Sequence, residues 1–209
     1  MNLLSEMFLL APHQNTLAHL IHVGARQHSR ALWHKRIFGT VSYARADACS
    51  NDVAAFLIAM GCRPGYHFYM PPPQTYEDSM SLFGAIKAGL VLIEPGVAGF
   101  EINQDQLLNT GKAALVTFLH HQFCIGNKVI SFKKAIKIGA GTLFFIPHLY
   151  QDTCAIHLLS AIGGHGEINR QVLLNQEVVD LVQCPENRSR LTPAMRLIER
   201  WCAGEERFG

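Results

Sequence analysis

The sequence predicts an α/β fold, a mainly parallel sheet flanked by helices, and three observations lead there. Between Phe38 and Pro95 short apolar runs alternate with amphipathic stretches, the pattern of parallel strands under covering helices. Glycine or proline punctuates most changes of element. Of the 209 residues, 49% are hydrophobic and 16% charged, enough apolar material for the core that such a sheet requires.

Asn15 to Arg36 reads as a helix, with Leu17, Leu20, Ile21, Ala25, Ala31 and Leu32 on one broad apolar stripe. A strand follows at Phe38 to Tyr43, beside the Gly39 turn. Ser50 and Asn51 are placed to cap a helix carrying Val53, Ala54, Phe56, Leu57 and Met60, stopped by Gly61. After the Arg63-Pro64-Gly65 turn, Tyr66 to Met70 is a second strand. Pro71-Pro72-Pro73 end it, because proline has no N–H to give a ladder. Thr75 opens a helix through Met80, Phe83, Ile86 and Lys87 to Gly89. Leu90 to Ile93 is the third strand, closed by Pro95-Gly96.

Farther on, Asp105 to Gly111 reads as a helix and Ala113 to Leu119 as a strand. His120 to Ile138 is expected to be helical, with three lysines near its C-terminal end, where cations suit the dipole. Thr142 to Ile146 reads as a strand and Thr153 to Ile162 as a helix stopped by Gly163-Gly164. Val178 to Val182 is a further apolar run. Thr192 caps the last helix, Thr192 to Cys202, and Pro193 takes its first turn, where a missing N–H costs nothing. With no repeat, linker or low-complexity tract, residues 1–209 are expected to form one α/β domain.

Composition also narrows function. Eighteen basic residues against 16 acidic ones give no electrostatic case for nucleic acid. No apolar stretch reaches the roughly 18 to 20 residues that span a bilayer. Met1 to Pro12 is apolar but lacks a basic n-region and a cleavage site, so a soluble, cytoplasmic protein is expected. The six cysteines form no C-x-x-C pair and are expected to be reduced. His165-Gly166-Glu167 echoes the H-x-E of zinc deaminases without the P-C-x-x-C they need. Gly126 and Gly139-Ala140-Gly141 are turn glycines, not a dinucleotide fingerprint. His120, His121, Cys124, His148, Cys154 and His157 could ligate a metal by type, but their spacing is irregular and no metal is assigned. A small histidine- or metal-dependent hydrolase is the third of three functional alternatives.

The first two come from a resemblance. Thr40-Val41-Ser42-Tyr43-Ala44-Arg45-Ala46-Asp47 is similar to the "T-Y-x-E-L" element that opens the adenylate-forming superfamily of AMP-binding ligases and adenylation domains. Leu57 with Gly61-Cys62-Arg63-Pro64-Gly65 is similar to its "L-x-x-x-G-V-x-P-G-D". Phe83 to Pro95, with Lys87-Ala88-Gly89, is similar to its "A-x-x-K-A-G-A-V-x-x-P". The likeness is strongest over 40–95 and weaker over 96–165. There Ala113 to Phe118 resembles the strand leading into the family's phosphate loop. Gly141 to Tyr150 resembles its "D-x-x-L-x-x-x-P-L-F-H" strand, and Leu158 to Gly164 its "L-L-A-A-L" helix. The resemblance implies the first subdomain of such a ligase, and a residual acyl or carboxylate pocket at Phe144, His148, Tyr150 and Ile156.

The departures shape the expected function. The family's "T-S-G-T-T-G-x-P-K-G" loop holds ATP phosphates through glycine backbone, hydroxyls and a lysine. Here Phe118-Leu119-His120-His121-Gln122-Phe123 stands in its place, and the later "Y-G-x-T-E" and "T-G-D" motifs do not occur. The expectation is a non-catalytic ligase-like binding, scaffold or regulatory protein with no cofactor and no catalytic residue. The alternative is one half of a split ligase completed by a partner chain. A homodimer, or a larger ligase or acyl-carrier partner, is expected to cover an apolar face formed by Leu3, Leu4, Met7, Phe8, Leu9 and Leu10 with Leu197, Ile198 and Trp201.

Overall fold

The computed structural model describes residues 16–36, 39–95, 115–143, 147, 149–150, 152–162, 167–205 and 207–208. The Thr16 side chain caps helix α1 (Leu17–Gln27) by accepting from the His19 N–H at 3.2 Å. The helix stops sooner than its apolar stripe suggests. The chain then turns into strand β1 (Leu32–Arg36), antiparallel to β2 (Gly39–Ser42). Strand β1 leaves Leu32 42% exposed and buries both Trp33 and His34 across a register shift between Leu32 and His34, so tertiary burial overrides the helical spacing.

Helix α2 (Tyr43–Ala59) begins well before the expected cap at Ser50. Ser42 caps it, accepting from the Arg45 N–H at 3.3 Å, and Ser50 lies inside the helix facing α3. Strand β3 (His67–Tyr69), helix α3 (Tyr76–Lys87) and strand β4 (Val91–Pro95) follow where expected. Thr75 and Asp78 form a reciprocal capping box at the start of α3.

Three expectations fail downstream. Instead of a single helix from His120, strand β5 (Leu115–Leu119) folds back into β6 (Gln122–Ile125), then β7 (Lys128–Ser131), and only then helix α4 (Phe132–Ala140). His120 and His121 make the first reversal at φ 49° and 59°, a turn no glycine announces. Thr142 is not in a strand, because its hydroxyl donates to the Ile138 carbonyl at the end of α4. Residues 144–146 of that expected strand, and 105–111, lie outside the described residues.

The expected helix at Thr153 to Ile162 is strand β8 (Cys154–Ile162), paired with β9 (Glu167–Leu174). Ile156, His157 and Leu159 are all buried, so both faces of β8 are covered and its apolar run shows no period of two. Helix α5 (Asn175–Gln183) contains the apolar run at Val178. A 3-10 turn (Pro185–Arg190) leads to α6 (Pro193–Ala203), capped by Thr192 as expected, and β10 (Arg207–Phe208) joins β1.

The sheets are β10-β1-β2 and β7-β6-β5-β3-β4-β8-β9. In the larger one β5, β3, β4 and β8 run parallel, while β6, β7 and β9 add antiparallel margins, so the α/β sheet is mixed. Helices α2, α3 and α4 pack together over one face, and α1 packs on α6. The α2–α4 crossing needs Gly139, since a Cβ there would stand 1.8 Å from the Asp52 carbonyl oxygen. The Trp201 ring lies 4.4 Å from Tyr43 and 4.8 Å from Trp33 and Phe83, and its indole N–H donates to Ile21 O at 2.8 Å. Leu197, Ile198 and Trp201 are therefore core residues of this chain and do not form an uncovered face. Residues 3–10 lie outside the described residues.

Candidate functional site

The parallel strands have two ends, and the chain treats them differently. Beneath the amino ends of β4 and β8 lies a cavity of about 310 Å3, walled by Leu17, Ile86, Leu90, Leu149 and Ala155. Gly89 at its mouth adopts φ +78°, and a Cβ there would stand 2.8 Å from the Leu149 side chain. Asn175 clips the wall together. Its Oδ1 accepts from the Leu17 N–H at 3.1 Å, and its Nδ2 donates to Thr153 Oγ1 at 2.9 Å and to the Tyr150 carbonyl at 3.3 Å. The Thr153 hydroxyl donates to the same carbonyl at 2.6 Å. Both polar side chains are thus committed to structure. Cys154, also on the wall, is half-buried, and burial pushes its thiol up, so it stays protonated at neutral pH. The cavity can hold a small apolar body and offers it no base or activated nucleophile.

At the carboxyl ends, where open α/β sheets take their ligands, the protein's own groups occupy two places among the described residues; residues 96–114 and 163–166, which follow β4 and β8, lie outside them. Glu94, near the end of β4, accepts from the Thr192 hydroxyl and from the Ala194 N–H (3.1 Å), so its carboxyl group sits on the N-terminus of α6. Burial pushes Glu94 up to about 7 against the pull of those two bonds. Beside it only about 10 Å3 of space remains, lined by Phe68, Met70 and Pro71. The carboxyl end of β5 closes with the His120–His121 turn, whose backbone His121 O accepts from the Phe132 N–H at 2.8 Å.

Two of the four sequence-derived ligand residues lie among the described residues. Ile156 is fully buried in the main core, and Tyr150 is 51% exposed. Phe144 and His148 lie outside the described residues. The cavity runs past the neighbours of Tyr150 and Ile156, namely Leu149 and Ala155. Nothing in the sequence signals it, because Leu17 and Asn175 meet across almost the whole chain.

A second network escaped sequence reasoning. Lys87 is completely buried between α2 and α3, and its ammonium donates to Asp47 Oδ1 at 2.5 Å, Ser50 Oγ at 2.6 Å and Asn51 Oδ1 at 2.7 Å. Burial lowers its pKa and Asp47 opposes that shift. On the other face of the sheet His157 stacks edge-on with His67 at 4.9 Å and meets Arg170 at 3.1 Å. Burial, then Arg170 and His67, bring His157 down to about 4, so it is neutral and a weak base. Cys124 lies on β6 and Cys154 and His157 on β8. Among the described residues no group of three His, Cys, Asp or Glu could hold a metal ion, and all six cysteines are free thiols.

The sequence matches no protein-family model and no curated protein. Solved structures do match. The Klebsiella oxytoca NpsA N-terminal subdomain in complex with 3-hydroxybenzoyl-AMSN superposes with a TM-score of 0.69 at 13% identity, over 92% of this chain and 53% of that one. The fold is that of adenylating-enzyme N-terminal subdomains. A fatty acyl-adenylate ligase from L. pneumophila, in complex with acyl adenylate and pyrophosphate, gives a TM-score of 0.66 at 11% identity, over 94% of this chain and 39% of the ligase. NpsA-ThdA, an artificially fused adenylation–PCP di-domain, gives 0.68 at 12% identity over 92% of this chain and 39% of that one. The chain thus spans about half the length of the NpsA subdomain, or less of the larger relatives. No helix among its described residues is long and apolar enough to cross a membrane.

Proposed function

We propose that this chain is a non-catalytic, ligase-like binding or scaffold protein that works in the cytoplasm as one α/β domain. The observation that carries the reading is the His120–His121 turn. By resemblance β5 leads into the phosphate loop of adenylating enzymes, and here it reverses within two residues and runs back as β6. A phosphate loop needs glycines for close backbone approach, free N–H donors and a cation. The seating of Glu94 on α6 supports the same reading, because an anion brought there would meet a buried carboxyl group.

The acyl or carboxylate pocket at Phe144, His148, Tyr150 and Ile156 is part of this proposal. So is a partner: a second copy, or a ligase or acyl-carrier chain. NpsA-ThdA joins an adenylation domain to a PCP, which favours the carrier. The test is ATP–pyrophosphate exchange with the purified chain over a panel of acyl and aryl acids. The expected result is no exchange above background with any acid. Exchange by the chain alone would overturn the proposal.

A second reading, one half of a split ligase, is favoured by the coverage of about half of the NpsA subdomain. It predicts exchange only when a chain carrying the missing loop and motifs is added.

A further inference from the structure

Helix α6 buries Ala194, Leu197, Ile198 and Trp201 and turns Arg196, Glu199 and Arg200 outward at i, i+3 and i+4 spacing. The 3-10 turn sets Arg188 and Ser189 alongside. After the left-handed Gly204 (φ 74°), the Glu205 N–H bonds back to the Arg200 carbonyl at 3.1 Å and returns the Glu205 carboxylate to the same place. Together these residues line an open groove of about 580 Å3.

All three arginines are held in one way. Arg188 Nε donates to Glu199 Oε1 at 2.6 Å, Arg200 Nε to Glu205 Oε2 at 3.3 Å, and Arg196 Nε to the Leu191 carbonyl at 3.2 Å. Among the described residues none of the three makes another hydrogen bond or ion pair. Each guanidinium is thus tethered by one donor and keeps its Nη amino groups for something else. Exposed one-point ion pairs contribute only about 0–1 kcal/mol, so stability alone is a weak reason for the cluster. Three cations face two carboxylates, leaving an excess positive charge, and the Ser189 hydroxyl adds a further polar group to the wall. Several forks on one groove suit an acceptor with three or more oxygens, which a phosphate has and a carboxylate lacks.

We propose that the groove between the 3-10 turn and α6 binds a phosphate group, free or as a small monoester, through the Nη atoms of Arg188, Arg196 and Arg200. The groove shares no lining residue with the space beside Glu94 or with the apolar cavity. The experiment is an NMR titration of the full chain, following the arginine Nε–Hε signals, with inorganic phosphate and with phenyl phosphate at constant ionic strength balanced by chloride.

The expected result is a saturable shift of the three arginine signals with at least one of the two phosphates and none with chloride. Saturation by both probes assigns the site to the phosphate group itself, by one alone to the free or the esterified form. The double substitution R196Q/R200Q should weaken binding at least about tenfold, with R196K intermediate because it keeps charge and loses the fork. K134Q, on α4, should leave it unchanged. R188Q serves as a second variant if the double one melts at a lower temperature. Shifts that never saturate with either phosphate, or saturation that is the same in R196Q/R200Q and R188Q as in the parent, would overturn the proposal.

Discussion

The two ends of the parallel strands differ in who occupies them. Among the described residues at the carboxyl end, Glu94 occupies the α6 N-terminus and the His120–His121 turn ends β5. At the amino end a cavity of about 310 Å3 stays open, with its polar neighbours Thr153 and Asn175 already bonded to the protein. Among the described residues, the places at the carboxyl end are filled and the space at the amino end is hollow. On the proposed reading, a few local contacts are enough to close a fold's customary site while the framework survives.

The framework itself gives the largest expected effect. The last turn of α3 leads to the cavity mouth at Gly89, and Lys87 anchors that turn. Asp47→Ala would leave the buried ammonium without its counter-charge, held only by neutral acceptors, Ser50 and Asn51 among them, at a cost of about 3–5 kcal/mol in chemical denaturation. Lys87→Met should cost clearly less, because Asp47 remains 19% exposed and can be rehydrated. Equal costs would show that the cluster does not work as a buried ion pair.

Next comes a pH dependence belonging to the closed end. Glu94 titrates at about 7 in the fold against an ordinary value of 4.5. Between those values the folded state keeps a proton that the unfolded state has released, so stability falls as pH rises. The loss approaches 1.4 kcal/mol per pH unit, about 3 kcal/mol across the window. Glu94→Gln should flatten that slope while keeping the α6 cap. A slope unchanged in Glu94→Gln would place its origin elsewhere.

The smallest effect contrasts the two ends through one kind of substitution. Ala194→Val, in the filled end with about 10 Å3 to spare, should destabilise by about 1–3 kcal/mol. Ala155→Val, on the cavity wall, should be neutral or stabilise by up to about 1 kcal/mol. Thermal melts with the same sign for both would erase the distinction between ends.

Much of this was legible in the sequence, for local reasons. Thr75 with Asp78, and Thr192 with Pro193, mark helix starts through their own side chains, and the 40–95 segment has the order of elements its pattern indicates. Other elements depend on partners far along the chain. Strand β8 reads as a helix because both its faces are buried, and β6 and β7 read as one because His120 and His121 take up positive φ in place of glycine. Ser50 looks like a cap until Lys87 arrives from α3. The cavity, the Glu94–Thr192 clasp and the arginine groove are assembled from segments whose meeting only the fold discloses. Of the expected pocket, Ile156 is buried and Tyr150 is half exposed, and Phe144 and His148 lie outside the described residues.

The central proposal is that the carboxyl end does not receive a nucleotide, and a calorimetric titration of the chain with ATP and magnesium tests it most directly. The account predicts no saturable heat at micromolar ATP, with or without the metal, and no change when Glu94→Gln relieves the buried charge. Saturable, magnesium-dependent binding at micromolar ATP would contradict it.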